Sequence, residues 1–436
     1  MTPRQYEECV CGLDAEETFS GRVANPLGHQ VRVMMEHCLF LTWESPYPPH
    51  SGASLRSIGL LRELSRFVAV HSVVLSRRPL SGQQLDALNL LSTKVTRVPL
   101  EDSPFSHKTK ILSSMVRTHR PYHCAVLEHS LASHSETRHQ IINCATPVFT
   151  SVGHWGTLIS DRRSPNWILN QCDADVEFWR IYASLAASPF VKMTAILNWL
   201  LAREHFPRVY RQVGRIVSVC EEDRMLTMRL APHTPVDVIE NGIDCTLYVP
   251  HRQKRAAPRR LLFTGTSAAR NMVALRRFVH NVWPLVRRKV PGIELLVAGD
   301  FSVQSQSQFA MFEGVRFTGR VDDIRPFFDQ CDVYIAPFRE THGSKLKIAE
   351  AMAMAMPIVS TPQGIRGYAL EHDRSVLVAH SDREFAEHIL SLLADPPRCL
   401  RLGTSAREVA AMTIDWRVLG KRLQSIIESV QKGTSP

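Results

Sequence analysis

Short runs of apolar and β-branched residues alternate with longer stretches of helical periodicity, and the alternation occurs twice, on either side of a break at residues 241–258. In the first half, runs at 31–43, 70–75, 124–127, 147–152 and 215–220 predict strands; residues 54–67 and the long stretch 173–212 predict helices. In the second half, strands at 260–264, 294–298, 315–318, 332–337 and 358–360 are separated by helices at about 272–289, 323–330 and 344–355. Strands that read as near-continuous apolar runs and are joined through helices belong to parallel sheets covered on both faces. The pattern therefore predicts an α/β chain with two doubly wound, Rossmann-like domains facing a central cleft. Ligands are expected beyond the carboxyl ends of the strands.

The break carries Asn241-Gly242, two prolines and a basic run from His251 to Arg255, as a linker does. It divides the chain into a mobile N-terminal extension at 1–29, a first domain at 30–245, a linker at 246–258 and a second domain at 259–414. An amphipathic helix at 415–436 closes the chain and has the length to return to the first domain. The 436 residues suffice for two domains of about 200 each.

Composition narrows the possible functions. With 44% hydrophobic and 22% charged residues the chain is of ordinary globular type, and no apolar run is long and clean enough to span a bilayer. Residues 190–201 come nearest, but the stretch is short and holds Lys192 and Asn198; it reads as a buried helix or one lying on a membrane surface. The first thirty residues are polar and acidic, unlike a secretory signal, so a cytoplasmic protein is expected, with room for peripheral contact at the inner face of the membrane. The ten cysteines are scattered, with only Cys9 and Cys11 close together, which predicts free thiols rather than a zinc site or a disulfide framework. A net charge of +10 favours anionic partners. Much of it lies on arginines spread along helices, such as Arg276, Arg277, Arg287 and Arg288, without interleaved aromatics, so nucleic acid is not expected as a partner.

The segment from Gly343 to Ala353 follows a predicted strand and its loop. Gly343 and Ser344 at the opening of a helix leave free backbone amides at its positive end, where a phosphate is held, and Lys345 and Lys347 add charge. Glu350, two turns further on, shares a face with that opening, and its carboxylate can accept two hydrogen bonds from the cis hydroxyls of a ribose. The same residues also suit an ordinary helix cap with a Lys347–Glu350 surface pair. A second loop, Gly265-Thr266-Ser267-Ala268-Ala269-Arg270-Asn271, lies between a strand and a helix; its small residues admit a ligand, and Arg270 can grip a diphosphate through paired hydrogen bonds. In the first half, Gly52 sits where phosphate could approach a helix start. Gly153-His154-Trp155-Gly156 follows a strand end, with His154 suited to position an acceptor hydroxyl and Trp155 to stack on a sugar. No metal-ligand spacing is present, and helix dipoles with basic side chains can neutralise a diphosphate, so a metal-independent reaction without a bound cofactor is expected.

These residues resemble the family 4 retaining glycosyltransferases, the group 1 glycosyl transferases of GT-B fold. The similarity runs through Val238-Ile239-Glu240-Asn241-Gly242-Ile243-Asp244, Leu262-Phe263-Thr264-Gly265, Leu296-Val297-Ala298-Gly299, Phe317-Thr318-Gly319, Lys347-Ile348-Ala349-Glu350-Ala351-Met352-Ala353 and Pro357-Ile358-Val359-Ser360-Thr361. It is thinner in the first half, at Ser45-Pro46-Tyr47-Pro48-Pro49, Gly52 and residues 217–223. The resemblance implies a nucleotide-sugar donor, UDP- or GDP-linked, with Glu350 on the ribose. The amides of Gly343, Ser344 and Leu346, with Gly265, Arg270 and Lys345, would face the diphosphate, and the backbone at Arg320 and Val321 the base. His154 corresponds to the histidine that points at the sugar, and Gly52 admits the diphosphate from the first domain. The family's Glu-seven residues-Glu motif is altered, since His342 stands at its first position and Glu340 lies two residues earlier. The acceptor implied is a saccharide, a lipid-linked saccharide or a small molecule. A catalytically silent GT-B protein that binds a nucleotide sugar or a partner is the alternative.

Overall fold

The computed structural model describes residues 23–24, 30–31, 37–49, 51–100, 113, 115–172, 175–186, 188–251, 259–339 and 343–432. The first sheet holds β1 (His37–Trp43), β2 (Ala69–Ser76), β3 (Lys94–Pro99), β4 (Val148–Thr150), β5 (Ser164–Asn170), β6 (Val213–Ser218) and β7 (Val236–Val238), in the order β3-β2-β1-β4-β5-β6-β7. The second holds β8 (Arg260–Thr264), β9 (Glu294–Ala298), β10 (Val315–Phe317), β11 (Val333–Ala336), β12 (Ile358–Ser360) and β13 (Leu377–Val378), in the order β10-β9-β8-β11-β12-β13. Every pairing in both sheets is parallel. In each sheet the strand order reverses once, between β1 and β4 and between β8 and β11, which opens a crevice at the strands' carboxyl ends. This is the GT-B architecture of two Rossmann-like domains.

The central strands are buried on both faces, which is why their residues form unbroken apolar runs: Leu261, Leu262 and Phe263 of β8 and the whole of β11 are enclosed. Strands that mix polar with apolar residues, and the two-residue β13, left less trace. β3, β5, β7 and β13 have no counterpart among the predicted strands. The run 124–127, expected as a strand, is instead the core of a helix, Tyr122–Ala132, in which Cys124, Ala125, Val126, Leu127, Ser130 and Leu131 are all buried. A short apolar run has no periodicity by which to tell a buried strand from a buried helix. The expected helical stretch 173–212 is two helices, Asp175–Leu185 and Pro189–Gln212, divided at the Pro189 start of the second. Of the predicted extension 1–29, Val23–Ala24 is described and pairs antiparallel with Gln30–Val31; residues 252–258 of the expected linker lie outside the described residues.

The helices that shape the cleft are α1 (Gly52–Ser65), α2 (Tyr122–Ala132), α3 (Asp175–Leu185), α4 (Pro189–Gln212), α5 (Ala269–Asn281), α6 (Leu346–Ala353) and α7 (Trp416–Gln431). Ser51 caps α1 by accepting from the Ser54 amide, and the Ser54 hydroxyl accepts from the Ser51 amide in return. α7 belongs to the first domain's core although it ends the chain. Its Trp416, Leu419, Leu423, Ile426 and Ile427, at helical spacing, pack with Phe40, Leu60 and Leu61. The chain crosses between domains at one place in two passes: the Ile243 amide donates to the Ile414 carbonyl at 3.0 Å, and the Trp416 amide to the Ile243 carbonyl at 3.1 Å.

Candidate functional site

The second domain's crevice lies between β8 and β11, and the two strands are tied there by a 2.9 Å hydrogen bond between the hydroxyls of Thr264 and Tyr334. α6 begins above it. Lys345, in extended backbone, is its N-cap residue, so the helix starts at Leu346, two residues later than predicted, and Gly343 and Ser344 form the turn leading into it. Gly343 sits at φ 59°, in the left-handed region that a side chain resists. Lys345 is buried, with its ammonium 5.6 Å from the centre of the Phe338 ring.

Lys347 and Glu350 do not form the surface pair that their spacing allowed. The Lys347 ammonium turns inward and donates to the Thr264 carbonyl at 2.7 Å and to Asn271 Oδ1 at 2.9 Å, with the rings of Phe338 and Phe263 beneath it. Burial, then the charges of Arg270 and Lys345, pull its pKa down to about 7. Glu350 accepts from the Tyr248 hydroxyl at 3.3 Å. Burial pushes its carboxyl up to about 7, against the pull of Lys347 and Tyr248. A basic and an acidic group that both titrate near neutrality, one turn apart, mark this crevice as chemically specialised.

The loop after β8 closes round the same point. A side chain at Gly265 would stand 3.0 Å from Asn271 Nδ2 and 3.2 Å from Lys347 Nζ, so the glycine lets these two approach the backbone. Arg270 is exposed on the first turn of α5. On the far side, Gly319 at φ 72° leads into Arg320, which is exposed, and Val321, which is half-buried.

The first domain reaches this site through a chain of hydrogen bonds. Arg56 on α1, buried, donates to Asn170 Oδ1 at 2.7 Å and to the Glu240 carbonyl at 2.8 Å. The neighbouring Asn241 donates to the Ser344 hydroxyl at 3.0 Å and carbonyl at 3.1 Å. Gly367, at φ 83°, fits between Ser344 and Cys220, where an added Cβ would lie 2.7 and 2.9 Å from their own. Gly52, one turn before Arg56, is exposed at the first position of α1 with open space around it. The two domains also touch through α3 and α5.

At the carboxyl end of the first sheet, His154 stacks on His123 with ring centres 4.7 Å apart, and Trp43 meets both rings edge-on at 5.9 and 5.7 Å. Trp179 of α3 stacks on His123 at 5.6 Å. His154 Nδ1 is 4.0 Å from Asp175 Oδ1, and Asp175 accepts from the Tyr210 hydroxyl at 3.0 Å. Burial, then the neighbouring histidines His123 and His205, hold the His154 pKa well below the usual imidazole range; burial and then Arg77 bring His123 down to about 4. Both rings are neutral at pH 7. Trp155, expected to stack on a sugar, is wholly buried in the first domain's core and cannot do so. Its bulk and Leu158 and Ile159 anchor the 3-10 turn that carries His154.

The structure gathers Gly265, Arg270, Gly343, Ser344, Lys345, Leu346 and Glu350 around one crevice. Gly52 and His154 come from the first domain, and Arg320 and Val321 stand beyond the strand that flanks β9. His342 and Glu340 lie outside the described residues. Tyr248, Asn271, Asn241, Arg56 and His123 were not singled out as site residues in the sequence, although Asn271 ended the quoted loop and Asn241 lay within the linker signature; neither spacing nor composition marks such partners. Among the described residues no group of three or more His, Cys, Asp or Glu side chains could hold a metal ion, and the eight described cysteines are free. No helix among them is long and apolar enough to cross a membrane.

Residues 258–395 match the family model described as Glycosyl transferases group 1. A phosphatidyl-myo-inositol mannosyltransferase of Propionibacterium freudenreichii is 32% identical over 147 residues, 32% of this chain and 36% of that protein. A GDP-mannose-dependent alpha-(1-6)-phosphatidylinositol monomannoside mannosyltransferase of Mycobacterium tuberculosis is 23% identical over 219 residues, 45% of this chain and 56% of that protein. The matched region thus spans between about a third and just over half of these relatives. In structure the chain is similar to sucrose-phosphate synthase from Thermosynechococcus elongatus, with a TM-score of 0.65 at 14% identity over 91% of this chain and all of the other. It is likewise similar to Anabaena HepE in complex with UDP-glucose, with a TM-score of 0.60 at 14% identity over 90% and 99% of the two chains. The chain has the GT-B fold, and its segment 258–395 matches the group 1 glycosyl transferases.

Proposed function

We propose that the protein is a glycosyltransferase that moves a sugar from a nucleotide-sugar donor to an acceptor hydroxyl, with retention of anomeric configuration and without a metal ion. The observation that carries this reading is the convergence, at the switch point between β8 and β11, of a half-buried carboxylate, three basic side chains and the start of a helix. Glu350 accepts the ribose hydroxyls. The amides opening α6, with Gly343, Ser344 and Leu346, hold the diphosphate beside Arg270 and Lys345, and Lys347 adds positive charge behind them. Arg320 and Val321 border the base, UDP or GDP being the expected nucleotides. Gly52 lets the diphosphate approach the start of α1.

In such a reaction the bond between the anomeric carbon and the diphosphate oxygen breaks as the acceptor hydroxyl attacks from the same face, its proton passing to the departing diphosphate oxygen. Charge grows on the leaving diphosphate. Preorganised cations and helix amides stabilise that charge more in the transition state than in the ground state, on the order of several kcal/mol. His154, neutral at pH 7, positions a sugar or acceptor hydroxyl through a hydrogen bond without adding charge. The sequence relatives named as phosphatidylinositol mannosyltransferases support a saccharide or lipid-linked acceptor.

Incubation with a panel of UDP-, GDP- and ADP-sugars in the presence of a chelator tests the proposal through nucleotide release. Release is expected with one of the donors, and strong loss in Glu350→Ala and Arg270→Ala. Turnover unchanged in both variants removes the site assignment; nucleotide binding without release by the wild type favours a catalytically silent protein.

A further inference from the structure

α4 buries one side and leaves the other without a partner among the described residues. Ala195, Asn198, Leu201, Ala202, His205, Phe206 and Val209 face the first domain's core. On the opposite side Phe190, Met193, Ile196 and Leu200 are between 39 and 69% exposed, at helical spacing along three turns. A row of large apolar side chains held in water on one helix is unusual for a monomeric surface. The same helix carries Lys192, Arg203, Arg208 and Arg211 against one acid, Glu204, which pairs with Arg208. Apolar residues flanked by basic ones on the outward side of a helix suit insertion into the headgroup region of an anionic bilayer. A second copy of the chain is a poorer occupant, because it would set Lys192 and Arg203 against their own charges in a molecule of net charge +10.

This surface is connected to the site. α4 packs along α3, whose Tyr182 is exposed beside it. Tyr182 meets Trp179 edge-on at 6.0 Å, Trp179 stacks on His123, and His123 stacks on His154. A row of rings therefore runs from the outward face to the histidine at the carboxyl end of the first sheet. We infer that the exposed face of α4 docks on an anionic lipid bilayer and that the acceptor is presented from that surface, the second part resting on the transferase reading above.

Co-sedimentation of the full chain with vesicles tests the docking in the absence of any donor. The vesicles are phosphatidylcholine alone or phosphatidylcholine mixed with phosphatidylglycerol. Binding is expected to the mixed vesicles only, weakened roughly tenfold or more in Phe190→Glu/Leu200→Glu and in Lys192→Glu/Arg211→Glu. Both variants should keep the wild-type circular dichroism and the wild-type rate of nucleotide release in vesicle-free buffer. Absence of binding to the mixed vesicles, binding unaffected in both variants, or a dimer in solution that the variants dissolve each overturns the docking. Because vesicle binding needs no donor, its failure leaves the transfer reading standing, and a vesicle-bound protein that releases no nucleotide from any donor defeats the transfer reading alone.

Discussion

Lys347 donates to Asn271 Oδ1 at 2.9 Å, which ties α6 to α5 across the crevice between β8 and β11. The helix that opens above the crevice and the helix that bears Arg270 are thereby held in one arrangement. Asn271→Ala leaves a buried ammonium with one acceptor fewer, at a cost of about 1–3 kcal/mol. Urea denaturation should show that loss, together with weaker nucleotide binding by calorimetry; wild-type values in both would mean that the bond does not organise the site.

Glu350 should trade stability for binding. Its folded-state pKa, about 7, lies above the unfolded value near 4.5, so its favourable contribution is complete below about 4.5 and is lost as pH rises through about 7. Glu350→Gln removes that loss and keeps an acceptor for Tyr248. The variant is expected to be more stable than the wild type by about 3 kcal/mol at pH 8 and equal to it near pH 4.5. Its affinity for UDP or GDP should fall by at least tenfold, the equivalent of losing a charge-assisted hydrogen bond of about 1.4 kcal/mol or more. Equal stability at both pH values would show that the carboxyl is not strained by burial.

The stacked histidines set an acid limit. The folded pKa of His123, about 4, lies below its unfolded value near 6.5, so the stability it contributes is present above 6.5 and is lost as pH falls from there to about 4. A shift of that size corresponds to about 3 kcal/mol. Replacing His123 with Phe keeps a ring against His154 and Trp179 and removes the titration. Thermal melts of this variant should therefore lose less between pH 6.5 and pH 4 than those of the wild type, and parallel losses would count against a neutral, buried His123.

Trp416 lies against Gly59 of α1 and Gly242 at the crossing between domains. Trp416→Ala opens a cavity there and is expected to cost about 3–5 kcal/mol. Because α7 completes the first domain's core, the loss should appear in the first domain as well, read by hydrogen exchange at β1 and β2. Protection unchanged in those strands would mean that α7 is dispensable to them.

The two doubly wound domains were legible in the sequence because strands enclosed on both faces must be apolar throughout, as in 261–263 and 333–336, and helices between them must carry period-3.6 stripes. The residues that open α6 were legible for a related reason: a Gly-Ser turn before a helix, with Glu350 two turns on, is a local geometry, set by the backbone rather than by distant neighbours. Residues 124–127 show the limit. Four enclosed apolar residues satisfy a strand and a helix equally, and only packing against β3 and the 3-10 turn after β4 settles which forms. Lys347 shows it again, since spacing offered it Glu350 as a partner, while the fold placed the Thr264 carbonyl and Asn271 nearer to its ammonium. The sequence by itself determined the double alternation of central strands with helices and the turn that opens α6, because these depend on residues close along the chain. Tertiary structure alone decided that Tyr248 meets Glu350, that Asn241 meets Ser344, that Trp155 is core while His154 remains at the sheet's end, and that α7 belongs to the first domain. Each of those contacts joins residues far apart in sequence, and no local preference encodes them.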